Sequence, residues 1–208
     1  MSETPSNDPG GESLDEIAAH AWRMLAHGAG DRRHGFHTPV LGTLGADGTP
    51  QLRTVVLRQA DADALTLRFH CDRRSRKTTE IEAEPRVSLL FYDRSDKLQL
   101  RIGARAELHN EDEVARNAWD ATSLFGRRCY LQEPGPSADS DTPTSGLPDD
   151  LAQREPGRRE SEAGFANFTV ILAHVQEIDW LRLSHDGHRR ARFAWDDRGR
   201  RRDTWLVP

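Results

Sequence analysis

The sequence predicts a mainly β protein with flanking helices (α+β), organised on one antiparallel sheet that closes on itself. Three observations carry this. Short β-prone runs recur between compact polar turns. The helical patterns are too few and too brief for an alternating βαβ array. With 208 residues the chain is long enough for one substantial core and too short for a second of equal size.

Residues 1–12 are small, polar and rich in turn formers, which predicts a disordered tail. A single domain is expected over 13–208. Ser13 precedes Leu14, Ile17, Ala18, Ala21, Trp22 and Leu25 at helical spacing, and Glu16 completes a capping-box start. That helix should end near Gly28–Gly30. His37–Leu44 alternates as a strand and breaks at Gly45-Ala46-Asp47-Gly48 in hairpin fashion. Pro50–Arg58 returns as a second strand, Gln59–Ala64 makes a polar break, and Leu65–Cys71 is a third strand. Ser75–Glu84 has helical propensity that Pro85 stops. Val87–Tyr92 and Lys97–His109 flank the turn Asp93–Asp96 as fourth and fifth strands.

Glu111–Thr122 is the next helix, with Val114, Ala118 and Trp119 on one face. Residues 132–163, rich in Pro, Gly, Ser and Asp, read as a mobile insertion. Phe168–Glu177 and His188–Trp195 are β-like. Asp196–Gly199 turns the chain, and Trp205-Leu206 returns as a last strand against His188–Trp195.

Composition excludes several classes. A net charge of −5 argues against nucleic acid as the main partner. No apolar run approaches the roughly 18 residues of a membrane span. The N-terminus lacks the basic-then-apolar pattern of a secretory signal, so a cytoplasmic protein is expected. Cys71 and Cys129 have neither disulfide nor metal spacing, and both read as small core residues. The histidines show no ligand spacing; His20, His27, His34 and His37 read as surface or capping residues, and no metal is expected. No nucleophile elbow, P-loop or zinc-protease helix occurs.

Three groups bear chemistry. Arg53 and Arg58 bracket an apolar run, and Ser75-Arg76-Lys77 opens the short helix. Together they form either a clamp for a phosphate or a solvated basic turn. Gln99, inside an apolar strand, either faces solvent or offers its amide to a polar ring edge. In 186–195, alternation puts His188, Arg190 and Arg192 on one strand face, opposite Arg189, Ala191 and Phe193. That face is either a ligand wall or a charged edge that deters aggregation.

The order of R-T-V-V-L-R (53–58), F-H-C-D-x-x-S-R-K (69–77), E-x-x-P-R-V-S-L-L-F (82–91), L-Q-L-R-I-G-A-R-A-E (98–107) and R-x-R-F (190–193) resembles the pyridoxamine 5′-phosphate oxidase family. The resemblance runs from about Thr38 to Pro208, interrupted by the 132–163 segment. It implies a split β-barrel of the FMN-binding type and a homodimer with flavin mononucleotide (FMN) at the interface. By position, Arg53, Ser75, Arg76 and Lys77 would hold the phosphate, and Val55, Val56 and Leu57 would present backbone to the ring. His70 and Cys71 stand where the family has aromatic-Thr. Gln99 matches its flavin-contacting Gln and Arg192 its C-terminal Arg, while Trp180 or Leu181 falls at its ring-contacting Trp.

The chain also departs from the vitamin B6 enzymes. Arg58 replaces a Lys, and His188-Arg189-Arg190 replaces Arg-x-His. The substrate-phosphate residues have no clear counterpart, with Arg127, Arg128 and Tyr130 the nearby candidates. The resemblance therefore implies a divergent branch: an FMN-dependent oxidoreductase acting on a small phosphorylated or planar substrate, with His188 and Arg190 as candidate catalytic residues and Arg58 beside them in substrate binding. Two other readings stand next to it, a non-catalytic FMN-binding protein for storage or sensing, and an Arg-rich anion- or RNA-binding barrel without flavin.

Overall fold

The computed structural model describes residues 12–196 and 198–208. Of the expected tail, only Glu12 lies within them. Helix α1 (Leu14–Gly30) opens on the expected capping box: the Ser13 hydroxyl accepts from the Glu16 N–H, and the Glu16 carboxylate accepts from the Ser13 N–H at 2.7 Å. Its buried stripe is Ile17, Ala18, Ala21, Trp22 and Leu25. His37 is buried and takes the capping alternative of its sequence reading: its ring Nδ1–H donates to the Gly28 carbonyl in the last turn of α1 at 2.7 Å.

Nine antiparallel strands follow among the described residues: β1 (Val40–Leu44), β2 (Pro50–Thr54), β3 (Leu57–Asp61), β4 (Thr66–Asp72), β5 (Arg86–Asp93), β6 (Leu98–His109), β7 (Phe168–Arg182), β8 (Arg189–Trp195) and β9 (Arg201–Leu206). Their order is β2-β1-β5-β6-β7-β4-β3, with β8 and β9 extending from β7. The ribbon 50–61 supplies both ends of the main path. Its first half pairs with β1 and its second with β4, so the sheet wraps into a split barrel joined covalently at Val55-Val56. The sequence predicted one strand over Pro50–Arg58 and a break after it. The chain instead changes partner at Val55-Val56 and continues as β3, with a bulge at Arg58 between Leu57 and Gln59.

Alternation assigns the faces. In β6, Leu98, Leu100, Ile102, Ala104 and Ala106 point inward and are buried. β7 runs five residues beyond the predicted Glu177, and Gln176 is an extra residue between the pairs Gly103–Glu177 and Ala104–Val175. This bulge switches the inward set of β7 from odd to even numbers, so Ile178 and Trp180 join Ile171, Ala173 and Val175 in the barrel core.

Helix α2 (Arg76–Ala83) packs on β1 and β6. On the far side of β4 and β7, helix α3 (Glu113–Asp120) covers Phe168 and Val170 with Trp119, and Tyr130 completes this second apolar cluster. The short helices α4 (Leu124–Arg127) and α5 (Arg158–Ser161) flank the irregular segment between them. That segment is tied down at named points. Arg128 donates to the carbonyls of Leu151 and Ala152, Leu151 is buried, and Arg154 pairs with Asp150 and Glu160. Cys71 is buried as expected, whereas Cys129 is exposed on the short turn after α4. Among the described residues, no helix is long and apolar enough to cross a membrane.

Gly28 shows where packing overrides propensity. A Cβ there would lie 2.7 Å from Phe36 Cβ and 2.9 Å from its backbone carbonyl carbon. Alanine would gain about 1 kcal/mol in helix propensity, while overpacking costs about 1–3 kcal/mol. Gly28→Ala is expected to lower stability by up to about 2 kcal/mol in urea unfolding; a stabilised variant would refute the close helix–loop contact.

Candidate functional site

The structure sorts the sequence candidates into three groups. The first gathers at the N-terminus of α2. Ser75 is its N-cap by backbone conformation, but the Ser75 hydroxyl donates backward to the Asp72 carbonyl at 2.6 Å and makes no cap bond. Leading N–H groups of the helix are thereby left to other acceptors, and no acidic residue stands in the first turn. Lys77 Nζ donates to Ser75 Oγ at 2.9 Å, and Arg76 is exposed. Arg53 reaches this helix from β2: its Nη2 lies 2.6 Å from Glu80 Oε2. Glu80 is three residues past Lys77 and four past Arg76, so Arg53 lies over the face that carries both.

Cys71 sits below this group. Burial pushes its thiol up to about 11, against the opposing pull of Lys77 and of a Ser75 hydrogen bond, so the sulfur stays protonated. The side chains of Val55 and Leu57 are in the core, and the N–H groups of these two residues bond to Pro39 and His37. Only the half-buried Val56 between them has a side chain outside the buried core.

The second group lies on the outer face of the sheet. Tyr92, Gln99, Leu181 and Arg190 are direct cross-strand partners in one row over β5, β6, β7 and β8. The next row holds Leu90, Arg101, Asp179 and Arg192. Trp180, a sequence candidate for ring contact, points into the core and is 1% exposed, which leaves Leu181 beside Gln99. Arg190 and Arg192 share a face as alternation predicted, but His188 lies in the preceding turn, where its Nδ1 accepts from the Ser184 N–H. Arg190 is held by Asp179 in a two-pronged pair, Nε–Oδ1 3.0 Å and Nη2–Oδ2 2.7 Å. Beside these rows is a groove of about 270 Å³, lined by Val40, Gly42, Leu52, Leu90, Gly103 and Asp179 among others. Leu52 is 73% exposed on its rim.

The sheet separates these two groups. Arg53 is in register with Leu41, which pairs with Leu89, which pairs with Ile102, all inward residues. Gln99 and its row face outward. Within one protomer the two groups do not meet.

The third group lies under α3. His70 stacks edge-on against Phe168 at 4.9 Å. Burial holds its ring down to about 3, with the charges of Arg58 and Arg68 adding to the effect. Burial likewise raises the Tyr130 hydroxyl, with Arg58 pulling the other way. Arg127, expected near a substrate phosphate, is 1% exposed and structural. It donates to the carbonyls of Trp119 and Thr122 and pairs with Glu162 at 3.0 Å. Arg128 packs over Phe125 and ties the irregular segment. Sequence reasoning missed Thr43, Glu80 and Asp179. Each is a buried or half-buried polar residue, and only its cross-sheet neighbours reveal its role.

The sequence model of the family described as pyridoxamine 5′-phosphate oxidase matches residues 31–144, just over half of the chain. The chain is 27% identical over 174 residues to pyridoxine/pyridoxamine 5′-phosphate oxidase 2 of Arabidopsis thaliana, covering 78% of this chain and 83% of that protein. It is 39% identical over 84 residues to the Rubrobacter xylanophilus pyridoxine/pyridoxamine 5′-phosphate oxidase, where only 39% of this chain and 38% of that protein align. Among solved structures, a pyridoxamine 5′-phosphate oxidase-related, FMN-binding protein from Nostoc punctiforme superimposes with a TM-score of 0.67 at 21% identity, covering both chains fully. PhzG from Burkholderia lata, in complex with tetrahydrophenazine-1-carboxylic acid, gives 0.68 at 20% identity, over 100% of this chain and 98% of that one.

The half-buried His70, whose ring Nε2 is shielded from solvent, yields a pH prediction. The unfolded ring protonates below about 6.5, while the folded ring stays neutral down to about 3. The unfolded state therefore binds the extra proton between these values. Stability from this residue is complete above about pH 6.5 and is lost as pH falls, at about 1.4 kcal/mol per unit. His70→Phe should gain on the wild type as urea unfolding is repeated from pH 7 to pH 4; a constant difference would count against a buried neutral ring.

Proposed function

The chain belongs to the pyridoxamine 5′-phosphate oxidase family, and on that premise we propose that it is a homodimeric, FMN-dependent oxidoreductase acting on a small phosphorylated or planar substrate. The observation that carries this reading is the α2 N-terminus. An uncapped helix end with Arg76, Lys77 and Arg53 around it and no acid in its first turn suits a phosphate dianion. Each charge-assisted hydrogen bond contributes about 1.5–3 kcal/mol, and association entropy offsets much of the sum. Contacts to the ring must therefore supply part of the affinity, and the outer-face row of Gln99 and Leu181 is the place for them.

Because the sheet keeps these groups apart in one protomer, the reading requires two chains. A dimer closed through the outer face would cover Leu52, Leu90 and Tyr92 and set the phosphate group of one protomer against the Gln99 row of its partner. FMN, when bound, supplies hydride and electron chemistry that no side chain here provides. The chain's own part is to hold the phosphate through Arg53, Arg76 and Lys77, to orient the ring edge through the Gln99 amide, and to exclude water by burying the interface. Among the described residues, Arg192 on the outer face is exposed and has no carboxylate partner, and Arg101 in the same row makes only a 3.8 Å approach to Asp179. Arg190 is neutralised by Asp179, so it is a poorer candidate for proton transfer or substrate binding than its sequence position implied.

That clamp also favours a second reading, in which the protein holds flavin without oxidising pyridoxamine phosphate. Peroxide release with pyridoxamine phosphate, and anaerobic reduction of the bound flavin across a panel of candidate substrates, separate the two. Flavin that no candidate reduces would favour the second.

Two mutational outcomes test the shared part. Arg53→Ala combined with Lys77→Ala should abolish retention of flavin absorbance through gel filtration while circular dichroism stays unchanged; flavin kept by the double variant would remove the phosphate assignment. Leu90→Glu should shift the dimer to a monomer and release flavin with it, and a flavin-loaded monomer would sink the two-chain site.

A further inference from the structure

We propose that Thr43 and Glu80 are positioning residues for Arg53, and that they set how strongly the site prefers a phosphorylated flavin to the same ring without phosphate. This rests on the FMN reading above. Thr43 is an inward residue of β1 and 4% exposed. Its hydroxyl donates to Glu80 Oε2 at 2.5 Å and accepts from Arg53 Nη1. Arg53 Nη2 donates to the same carboxylate oxygen at 2.6 Å. Three side chains, from β1, β2 and α2, close a ring of hydrogen bonds.

The chemistry of this ring is directional. A threonine hydroxyl has one proton, and here it goes to the carboxylate, leaving a lone pair for the guanidinium. Charges at both ends therefore fix which way the hydroxyl points. The guanidinium offers five N–H donors in a rigid fork. The ring commits one donor of each terminal nitrogen, a second Nη1 donor reaches the Gln51 carbonyl at 3.4 Å, and the remaining two N–H groups are held oriented before any ligand arrives. A cation held in one orientation loses less freedom on binding than a mobile one. Glu80 also trims the charge. Arg53, Arg76 and Lys77 carry +3, and Glu80 brings the group to +2, against about −1.5 to −2 on a phosphate monoester at pH 7.

The competing explanation is a polar staple that merely fastens α2 to the barrel edge. A loosened staple would weaken phosphorylated and unphosphorylated flavin alike, because the ring would rest on the same barrel. Misplacing Arg53 alone would weaken only the phosphorylated form.

The experiment is fluorescence titration of the full-length protein with FMN and with riboflavin. Thr43→Val removes the hydroxyl without changing charge, and should weaken FMN binding about tenfold while riboflavin binding changes less than twofold. Thr43→Ser should restore the wild-type ratio. Glu80→Asp keeps the charge and shortens the reach, and should show the same selective loss, which covers the case of a poorly folded valine variant. Equal losses for both flavins, or no loss for either, would overturn the positioning role and leave the FMN reading of the wild-type protein standing. A wild-type protein that binds neither flavin would overturn the FMN reading itself, and this inference with it.

Discussion

β6 and β7 are hydrogen-bonded along their whole shared length, from Leu98 against Arg182 to His109 against Val170. This ladder is the constraint that the other elements obey. β5 and β1 extend it on one side and β4 on the other, while β8 takes the end of β7 that β4 leaves free. A single extra residue, Gln176, bends the ladder at its middle and changes the parity of β7. Without that change Trp180 would face outward in place of Leu181, the barrel would lose a large core side chain, and the row beside Gln99 would carry an indole. Burying a tryptophan contributes a large apolar area. The choice between an indole in the core and one on the outer face is thus made by backbone geometry, at the bulge beside Gly103 and Glu177.

The same ladder explains how much of the fold was legible in the sequence. Strands with strict alternation, such as Val87–Tyr92 and Lys97–His109, are found within a residue or two of their places because each inward residue repeats the signal. Legibility failed where polarity and pairing part company. Gln176-Glu177 reads as the end of a strand because both side chains are polar and exposed, yet the backbone continues through them. Val55-Val56 conceals a change of partner, since two adjacent apolar residues look like strand interior on either side of the switch. Cys129 reads as core from its aromatic neighbour Tyr130, but the short turn that buries Tyr130 leaves the thiol outside.

The candidate site was legible in its residue types and less so in its geometry. In a chain whose cations are nearly all Arg, position in the sequence does not say which guanidinium is available; the anion beside it does. Arg74 is taken by Asp72, Arg86 by Glu84, Arg127 by Glu162 and Arg190 by Asp179. The first two partners are two residues away and the last two are 35 and 11, so only the short-range pairs could be guessed. Of the cationic site candidates, Arg58, Arg76, Lys77, Arg128 and Arg192 have no carboxylate partner among the described residues. Two of these five are at the α2 N-terminus, one is on the outer face, one is at the bulge beside His70, and Arg128 is spent on backbone carbonyls of the irregular segment.

That distribution bears on what a divergent member of this family could act upon. A ligand phosphate at α2 would meet cations already ordered by the protein, whereas a second anionic group near the outer face would find Arg190 committed and Arg192 exposed. Drawing Arg190 away from Asp179 would leave a buried carboxylate without its bidentate partner, an unfavourable step that solvent around the 28% exposed Arg190 softens. Asp179 also has Arg101 at 3.8 Å, too long for a good hydrogen bond and a weak substitute. A substrate that needs a strong anion clamp at this face is therefore disfavoured relative to one recognised by ring shape and by Arg192 alone. The restriction comes from Asp179, whose row on β7 is fixed by the same bulge that turned Trp180 inward.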